Sequence, residues 1–560
     1  MSKKKHNEAI VFLKKNWNWI VLIAILFFGF YLRSYHLDYP VIGYHNWKEV
    51  HYLTEARNFA RDGFFKHGFF VPAWDYPNVK NPSSGVHGDT FPTTSILIGV
   101  LFKFFGAKIV VARIFNIIIC MMSIAIFYMF LRIALKREDV ALTGSFLFAI
   151  NPLHVFFGRN TQLINIALFF MLLAGYFYFK WLEDKKNSNL IVAVTLFMLS
   201  FITKYSFFVL AIPILLTIPF KKELKKLKKN WKALSTVICI ILIFGFIAFY
   251  LTNLAVDEST TKSFTPQLIK IKTIFTKNFW DIQKSYLKDD FTLSGTALSI
   301  IGLLILVLKK NKTIGEKFFA RYFYGGVLWF FIMSYKLSGH NYHYYPLIPL
   351  VILGITYFIM FVGVNLKNLT GFKIVHPLLI ILISLMLFFP SVEAKDRMFN
   401  TQFFGLDIAG DYIRTHKLSG ERVMHSSHQA YGLLWHGDIK GTAGIPKLED
   451  IKFAEDNLNA TWVFIYNWDF AKLTKDRERW NYIANNYRIV QTAFSATQNQ
   501  LSNLYYFLLR KEGSFNESLF GLDGNLNIQV FSEIVNSGSL QTKEYEFTFG
   551  KQTIQYINLE

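Results

Sequence analysis

The sequence contains about ten or eleven apolar stretches of roughly 17–25 residues, each long enough to cross a bilayer as an α-helix. Hydrophobic residues make up 52% of the 560 residues, and charged residues 18%. This composition excludes a disordered chain, a collagen-like fibre and a small disulfide scaffold. We therefore predict a polytopic α-helical membrane protein.

Basic residues predict the orientation of these spans. The chain has 60 Lys and Arg against 38 Asp and Glu, a formal net charge of +22. Most of this excess lies in short loops, as the positive-inside rule requires, so it indicates membrane orientation and no nucleic-acid partner. Alternating the direction of the spans makes the N-terminus cytoplasmic and predicts eleven transmembrane helices. They lie near 19–35, 107–135, 139–157, 162–182, 188–203, 205–220, 232–253, 291–308, 317–335, 346–366 and 374–391.

The composition changes near residue 394, which predicts two domains. Residues 1–393 form the membrane domain, with outer loops at 36–106 and 254–290. Within the first loop, TSILIGVLFKFFG is too short to span and fits a helix lying at the interface. Residues 394–560 are predicted as a soluble extracytoplasmic domain of the α/β or α+β class, in which IQVFSEI is one of the strands. We expect this domain to carry none of the chemistry.

Acidic residues of the first outer loop are the first candidates for chemistry. Glu49, with Lys48 beside it, lies where the chain enters a predicted helix near the bilayer surface. A carboxylate there can remove a proton from an acceptor hydroxyl. It can also simply favour the helix dipole. Asp89 is either a second acid of this kind or an N-cap residue before the interfacial helix.

Two further groups of polar residues fall at predicted outer boundaries. Arg159 ends an apolar span, where a guanidinium either extends to the interface or binds an anion such as phosphate. His340, His343, Tyr344 and Tyr345 precede a proline-started span, and they suit hydrogen bonding to phosphate or sugar, although an aromatic belt also explains the tyrosines. No HExxH motif or carboxylate cluster accompanies the histidines. We predict no cofactor and do not favour a divalent metal.

The order of these segments resembles the GT-C membrane glycosyltransferases, in the branch of protein mannosyltransferases and lipid-A aminoarabinose transferases. The resemblance covers about residues 15–395 and includes an acid-bearing loop, an interfacial helix, a PLHxxxxR segment and HxYYPLxP. The Arg-x4-acid pattern of the family matches Arg159 but has Ile164 at the acid position, with Asn165 one residue later. The first-loop motif and the start of the interfacial helix fall on Lys48, Glu49, Tyr52, Ala56, Arg57, Asp89, Thr90, Phe91 and Pro92. Lys48 stands where the family has the first acid of a pair, so only the second acid, Glu49, is present.

This resemblance implies a glycosyltransferase that moves a hexose or pentose from a polyprenyl phosphate to a hydroxyl of a protein, lipid or glycan, with inversion. The donor phosphate would lie at the outer face of the bilayer, with Glu49 as the catalytic base. The implied phosphate partners are Lys48, Arg57, Arg159 and His340. Tyr52, Tyr344 and Tyr345 would donate hydrogen bonds or stack on the sugar.

Two other classes of function remain open at this stage. A polytopic transporter would carry ionisable residues near the middle of its spans and would show similar halves, which the sequence does not display. Lys204 is the main charge inside an apolar region, and the predicted topology places it in an outer turn. A GT-C-like scaffold that has lost catalysis and binds glycan or lipid is the other alternative. The Phe-, Ile-, Lys- and Asn-rich composition favours a prokaryotic cell membrane.

Overall fold

The computed structural model describes residues 2–64, 90–218, 231–254, 270–442, 444–497, 500–521, 523–548 and 550–559. These residues are mostly helical, as the apolar stretches predict. They divide into two compact units. The first lies within Met1–Leu37, Gly88–Thr94 and Val110–Met398, and the second lies within Asp38–His87, Ser95–Ile109 and Phe399–Glu560.

The first unit is built from apolar helices, and each of the eleven predicted spans coincides with a helical segment. Short 3₁₀ segments at Tyr205–Leu210, Ile271–Phe275 and Asn341–Leu347 connect some of them. The α-helices, wholly or almost wholly in this unit, are Ser2–Arg33, Ile109–Leu135, Glu138–Ile150, Pro152–Arg159, Leu163–Asp184, Asn187–Thr203, Ala211–Thr217, Trp231–Leu254, Lys277–Asp290, Leu293–Leu308, Ile314–Ile332, Ser334–Leu337, Ile348–Thr370 and Val375–Asn400.

Six helical stretches in the described part of the chain are long and apolar enough to cross a membrane, or up to eight if each of two bent pairs is one span. The polytopic class is thus confirmed, whereas the count of eleven is not. One bend, of 59°, lies between Glu138–Ile150 and Pro152–Arg159. It has a local cause, because Asn151 caps the second helix by accepting a hydrogen bond from the His154 amide and Pro152 fits a first helical turn.

Glycines allow two of these helices to approach very closely. A Cβ added to Gly302, in Leu293–Leu308, would lie 1.8 Å from the carbonyl oxygen of Gly354, in Ile348–Thr370. A Cβ on Gly354 would in turn lie 2.5 Å from the Ser299 carbonyl oxygen. Small residues at such crossings are typical of helix packing in membranes, where van der Waals contact replaces the hydrophobic effect.

The second unit contains a seven-stranded mixed sheet, consistent with the predicted α/β or α+β class. The strands are β1 Arg422–His425, β2 Lys440–Gly441, β3 Ala460–Tyr466, β4 Tyr487–Thr497, β5 Gln500–Lys511, β6 Ser539–Phe547 and β7 Gly550–Asn558. Their order in the sheet is β2-β1-β3-β5-β4-β7-β6; β1 pairs in parallel with β2 and β3, and the other pairs are antiparallel.

Helices cover this sheet and enclose an aromatic core that includes Trp480, Phe507 and Phe531. Short 3₁₀ segments lie at His428–Ala430 and Glu517–Leu519. The α-helices of this unit are Asn46–Asp62, Thr93–Phe105, Leu406–His416, Gly432–Gly437, Leu448–Leu458, Asn467–Lys475, Arg477–Asn486 and Ile528–Asn536.

One predicted strand of the C-terminal region is wrong. IQVFSEI lies in the helix Ile528–Asn536, not in a strand. The Asn527 side chain caps this helix by accepting hydrogen bonds from the amides of Gln529 and Val530. The adjacent pair Val530 and Phe531 is buried, as a helix permits and an alternating strand does not.

Candidate active site

The catalytic candidate Glu49 lies in the first turn of the helix Asn46–Asp62, which we call the loop helix. Its side chain is 4% exposed. Tyr52, one turn later, is also buried, whereas Lys48 is half-buried with its Nζ 4.3 Å from the centre of the Trp47 ring. The arrangement gives a sheltered carboxylate at a helix N-terminus, where the dipole favours negative charge.

A second acid of the loop helix, Glu55, was not identified from the sequence. Its Oε1 lies 2.8 Å from the Nε2 atom of His51, and its Oε2 accepts a hydrogen bond of 2.6 Å from the Ser95 hydroxyl. All three side chains are buried. The i, i+4 spacing of His51 and Glu55 on a predicted helix was the available signal. These contacts join the loop helix to the helix Thr93–Phe105.

Arg57 connects the loop helix to the C-terminal part of the same unit. Its Nη1 donates to the Trp435 carbonyl oxygen at 3.0 Å, its Nη2 lies 2.9 Å from the Asp438 carboxylate, and its guanidinium stacks 4.4 Å from the centre of the Trp435 ring. Burial lowers the pKa of Arg57 to about 10, against the opposing effect of Asp438, so it stays charged at neutral pH. The guanidinium is therefore engaged within the protein, and a phosphate contact stays a prediction.

Two buried arginines of the first unit bind the chain where it leaves the first helix. Arg159 Nη1 donates to the Tyr35 carbonyl oxygen at 2.7 Å, and Arg113 Nη1 donates to the Leu37 carbonyl oxygen at 3.1 Å. Both side chains are almost fully buried. Arg159 is thus held at a fixed position, with one nitrogen bound to main chain. Arg113 was not predicted from the sequence.

Asn165 is the centre of a buried polar network beside Arg159. Its Nδ2 donates to the carbonyl oxygens of Phe157 at 2.8 Å and Asn160 at 3.1 Å, and its Oδ1 accepts a hydrogen bond of 2.6 Å from the Tyr345 hydroxyl. Asn165 stands one residue after the acid position of the family pattern. The network fixes the segment that carries Arg159, and it already uses the Tyr345 hydroxyl, whose sugar contact stays a prediction.

The ring of Tyr342 has Lys204, His340 and His343 around it. We call these four residues the Tyr342 cluster. The Lys204 Nζ lies 5.8 Å from the centre of the Tyr342 ring, and the rings of His340 and His343 lie 5.2 and 4.6 Å from it. Lys204 and His343 are buried. Two segments that the predicted topology places on the outer side are thus in contact, and they bring a lysine together with two imidazoles.

A buried carboxylate, Asp290, contacts the same histidine-bearing segment. Its Oδ1 accepts a hydrogen bond of 2.7 Å from the Asn341 Nδ2, while its Oδ2 has no hydrogen-bond partner among the described residues. Nearby, the Tyr344 hydroxyl donates to Gln283 Oε1 at 2.6 Å. Asp290 ends an amphipathic helix in a segment predicted as loop, and its sequence neighbours give no sign that it is buried.

The predicted site residues belong to both units. Lys48, Glu49, Tyr52 and Arg57 share the loop helix of the second unit. Asp89 lies outside the described residues. In the part of the chain that the structure covers, no three His, Cys, Asp or Glu side chains are grouped so that they could hold a metal ion. The first unit holds Arg159, His340, His343, Tyr344 and Tyr345.

Known proteins with a similar fold are GT-C membrane glycosyltransferases. The Dolichyl-phosphate-mannose-protein mannosyltransferase family model matches residues 87–249 of this chain. The sequence resemblance to GT-C glycosyltransferases is therefore confirmed. No curated protein sequence matches the chain significantly.

Three solved structures show the same fold over most of this chain. ArnT from Cupriavidus metallidurans bound to undecaprenyl phosphate aligns with a TM-score of 0.54 at 11% identity, covering 89% of this chain and 98% of ArnT. The Archaeoglobus fulgidus oligosaccharyltransferase gives 0.53 at 13% identity, covering 94% and 79%. The mycobacterial arabinofuranosyltransferase AftD gives 0.50 at 8% identity, covering 94% of this chain and 45% of AftD.

Proposed function

We propose that this protein is a membrane glycosyltransferase that moves a sugar from a polyprenyl phosphate to a hydroxyl acceptor on the outer face of a prokaryotic cell membrane, with its N-terminus cytoplasmic. One observation carries the donor class. The fold similarity to ArnT covers 98% of the ArnT chain, and the ArnT structure was determined with undecaprenyl phosphate bound. The acceptor class is a hydroxyl of a protein, lipid or glycan, and the sugar is a hexose or a pentose.

The first unit offers cationic groups for the donor phosphate. Arg159 is held in place by the Tyr35 carbonyl, and Lys204 is buried in the Tyr342 cluster beside His340 and His343. Fixed cations in a site of low dielectric stabilise the charge that develops on a leaving phosphate without having to reorganise. We assign Lys204 and Arg159 to the phosphate, and the histidines to hydrogen bonds with phosphate or sugar.

Glu49 is the proposed base. It accepts the proton of the acceptor hydroxyl while that oxygen bonds to the anomeric carbon of the sugar, and the bond from this carbon to the phosphate oxygen breaks. The phosphate leaves with the electron pair as polyprenyl phosphate. Attack in line with the leaving group inverts the anomeric centre. Glu49 suits this role because it is sheltered and lies at the start of a helix anchored at both Glu55 and Arg57.

The experiment is transfer of a labelled sugar from polyprenyl phosphate by the purified full chain in detergent. Glu49→Gln should lower the rate by about 10²–10⁴-fold, the typical effect of losing a general base, and leave donor binding intact. Lys204→Met should raise the Kd for donor by about 10–150-fold through loss of one charge-assisted contact. The exposed acid Glu478, changed to Gln, is the matched control.

Near-normal transfer by Glu49→Gln would contradict its role as the base. A wild-type chain that binds polyprenyl phosphate but transfers no sugar from any tested donor would instead support a catalytically inactive scaffold. Unchanged donor affinity in Lys204→Met, with normal folding, would remove Lys204 from the phosphate site.

A further inference from the structure

The second unit contains an open cavity of about 440 Å³ between the loop helix and the C-terminal part of the chain. One wall is a single face of the loop helix, formed by Thr54, Arg57, Asn58 and Arg61. Their i, i+3, i+4, i+7 spacing puts them on one side of the helix. The opposite wall comprises the segments 417–422 and 438–440.

Positive charge dominates the lining of this cavity. The lining contains two acids, Glu421 and Asp438, and five cationic side chains, those of Arg57, Arg61, Lys417, Arg422 and Lys440.

Both acids already have partners. Glu421 Oε2 accepts hydrogen bonds from the Leu418 amide and the Trp462 indole, and its Oε1 lies 3.8 Å from Arg510, which is not part of the lining. Of these two acids, Asp438 is the one whose carboxylate contacts arginines of the lining.

Asp438 is shared among several of these cations. Its carboxylate lies 2.9 Å from Arg57 Nη2 and 3.2 Å from Arg61 Nη1, and the Lys417 ammonium donates to its main-chain carbonyl. Arg61 is 53% exposed and also lies 3.8 Å from Asp62. Burial lowers the pKa of Lys417, and the nearby Arg57 and Arg61 charges lower it further, against Asp438. Asp438 is thus in contact with three cationic groups, those of Arg57, Arg61 and Lys417.

A second observation concerns the hydroxyl of Thr54. Thr54 lines the cavity and is 5% exposed, yet its Oγ1 has no hydrogen-bond partner among the described residues. A buried hydroxyl without a partner is unfavourable unless an additional group satisfies it. An anion with several oxygens would accept from this hydroxyl and from the arginines together.

We propose that this cavity binds a phosphate-class anion, held by Arg61, Lys440 and Arg57 and hydrogen-bonded by Thr54. Guanidinium groups in a fork arrangement match phosphate oxygens, and a multivalent anion relieves the excess positive charge more fully than a single carboxylate does. This binding needs no sugar transfer, although Arg57 is also one of the donor-phosphate partners that the family resemblance implies. A chain inactive in sugar transfer therefore tests it equally well.

The test is calorimetric titration of the full chain, in zwitterionic phosphatidylcholine nanodiscs, with inorganic pyrophosphate. Arg61→Gln and Lys440→Gln should each raise the Kd about tenfold, because each removes one charge-assisted contact at an exposed position. Asp438→Asn should lower the Kd, because it removes the competing counter-charge. Lys475→Gln, an equal charge change at an exposed residue outside the cavity, should leave the Kd unchanged.

Anionic nanodiscs distinguish the source of the phosphate. If phosphatidylglycerol weakens pyrophosphate binding more in the wild type than in Arg61→Gln, the lipid headgroup competes for the cavity and is its occupant. If phosphatidylglycerol affects both proteins equally, the occupant is a soluble phosphate group. Either result supports the site. Absent binding, or equal Kd values for the wild type, Arg61→Gln, Lys440→Gln and Asp438→Asn, would overturn it.

Discussion

Replacing Arg57 by Gln should loosen the loop helix from the C-terminal part of the second unit. The substitution removes the hydrogen bond to Trp435, the ion pair with Asp438 and the stacking on the Trp435 ring. Arg57 is 15% exposed and Asp438 35%, so solvent screens the ion pair in part. A hydrogen bond with a charged group contributes about 1.5–3 kcal/mol and a cation–π contact about 0.5–1 kcal/mol. We therefore expect a local cost of about 2–4 kcal/mol.

Amide hydrogen exchange of the peptide covering Asn46–Asp62 is the assay. A cost of this size raises the opening constant of the helix about 30–1000-fold, because each 1.4 kcal/mol is a factor of ten. Arg61→Gln is the matched control on the same helix: it contacts the same carboxylate but is 53% exposed, so its loss should cost less than about 1 kcal/mol. Equal exchange in the wild type and Arg57→Gln, or equal effects of the two substitutions, would contradict this role of Arg57.

Two further predictions concern packing and pH. Gly302→Ala should lower the free energy of unfolding of the membrane unit by at least about 1–3 kcal/mol, because its Cβ would meet the Gly354 carbonyl. Thermal unfolding in detergent measures this change. Gly245→Ala is the control, since its Cβ would meet nothing within 4 Å. Burial lowers the pKa of His436, whose Nε2 accepts a hydrogen bond from the Val41 amide. Below about pH 6.5 the imidazole binds a proton in the unfolded chain more readily than in the folded chain. The second unit should therefore lose stability as the pH falls below about 6.5. His436→Asn should remove that part of the pH dependence of Tm, and an unaltered profile would count against it.

Much of the fold could be predicted because the apolar spans depend on composition over whole segments. The break at Asn151 and Pro152 within a predicted span, and the strand at Gly550–Asn558, were missed because each depends on a few residues. IQVFSEI shows the limit of periodicity: its apolar positions fit a strand or a helix, and the capping by Asn527 decides between them.

The candidate site was less predictable, since its parts come from distant segments. Glu49 and Arg159 could be proposed from local pattern, and Lys204 was noticed only as a charge in an apolar region. The burial of Asp290 beside Asn341 depends on a contact across 51 positions, which no local pattern encodes. The contact between the loop helix and Trp435 likewise could not be predicted from the sequence. Through this contact, the C-terminal domain, which was predicted to carry no chemistry, holds the helix that bears the predicted base Glu49.

The contact between Arg57 and Trp435 also determines when the loop helix can reach its final packing during synthesis of the chain. Arg57 and Trp435 are 378 positions apart in the chain. At about 5–20 residues per second, the ribosome adds Trp435 roughly 20–80 s after Arg57. During this interval the loop helix has no C-terminal surface to pack on, and its arginines and apolar side chains are accessible to chaperones and proteases. The loop helix is therefore synthesised early but reaches its final packing only after Trp435 has been added, and a nascent chain stopped before Trp435 would leave this helix without that contact.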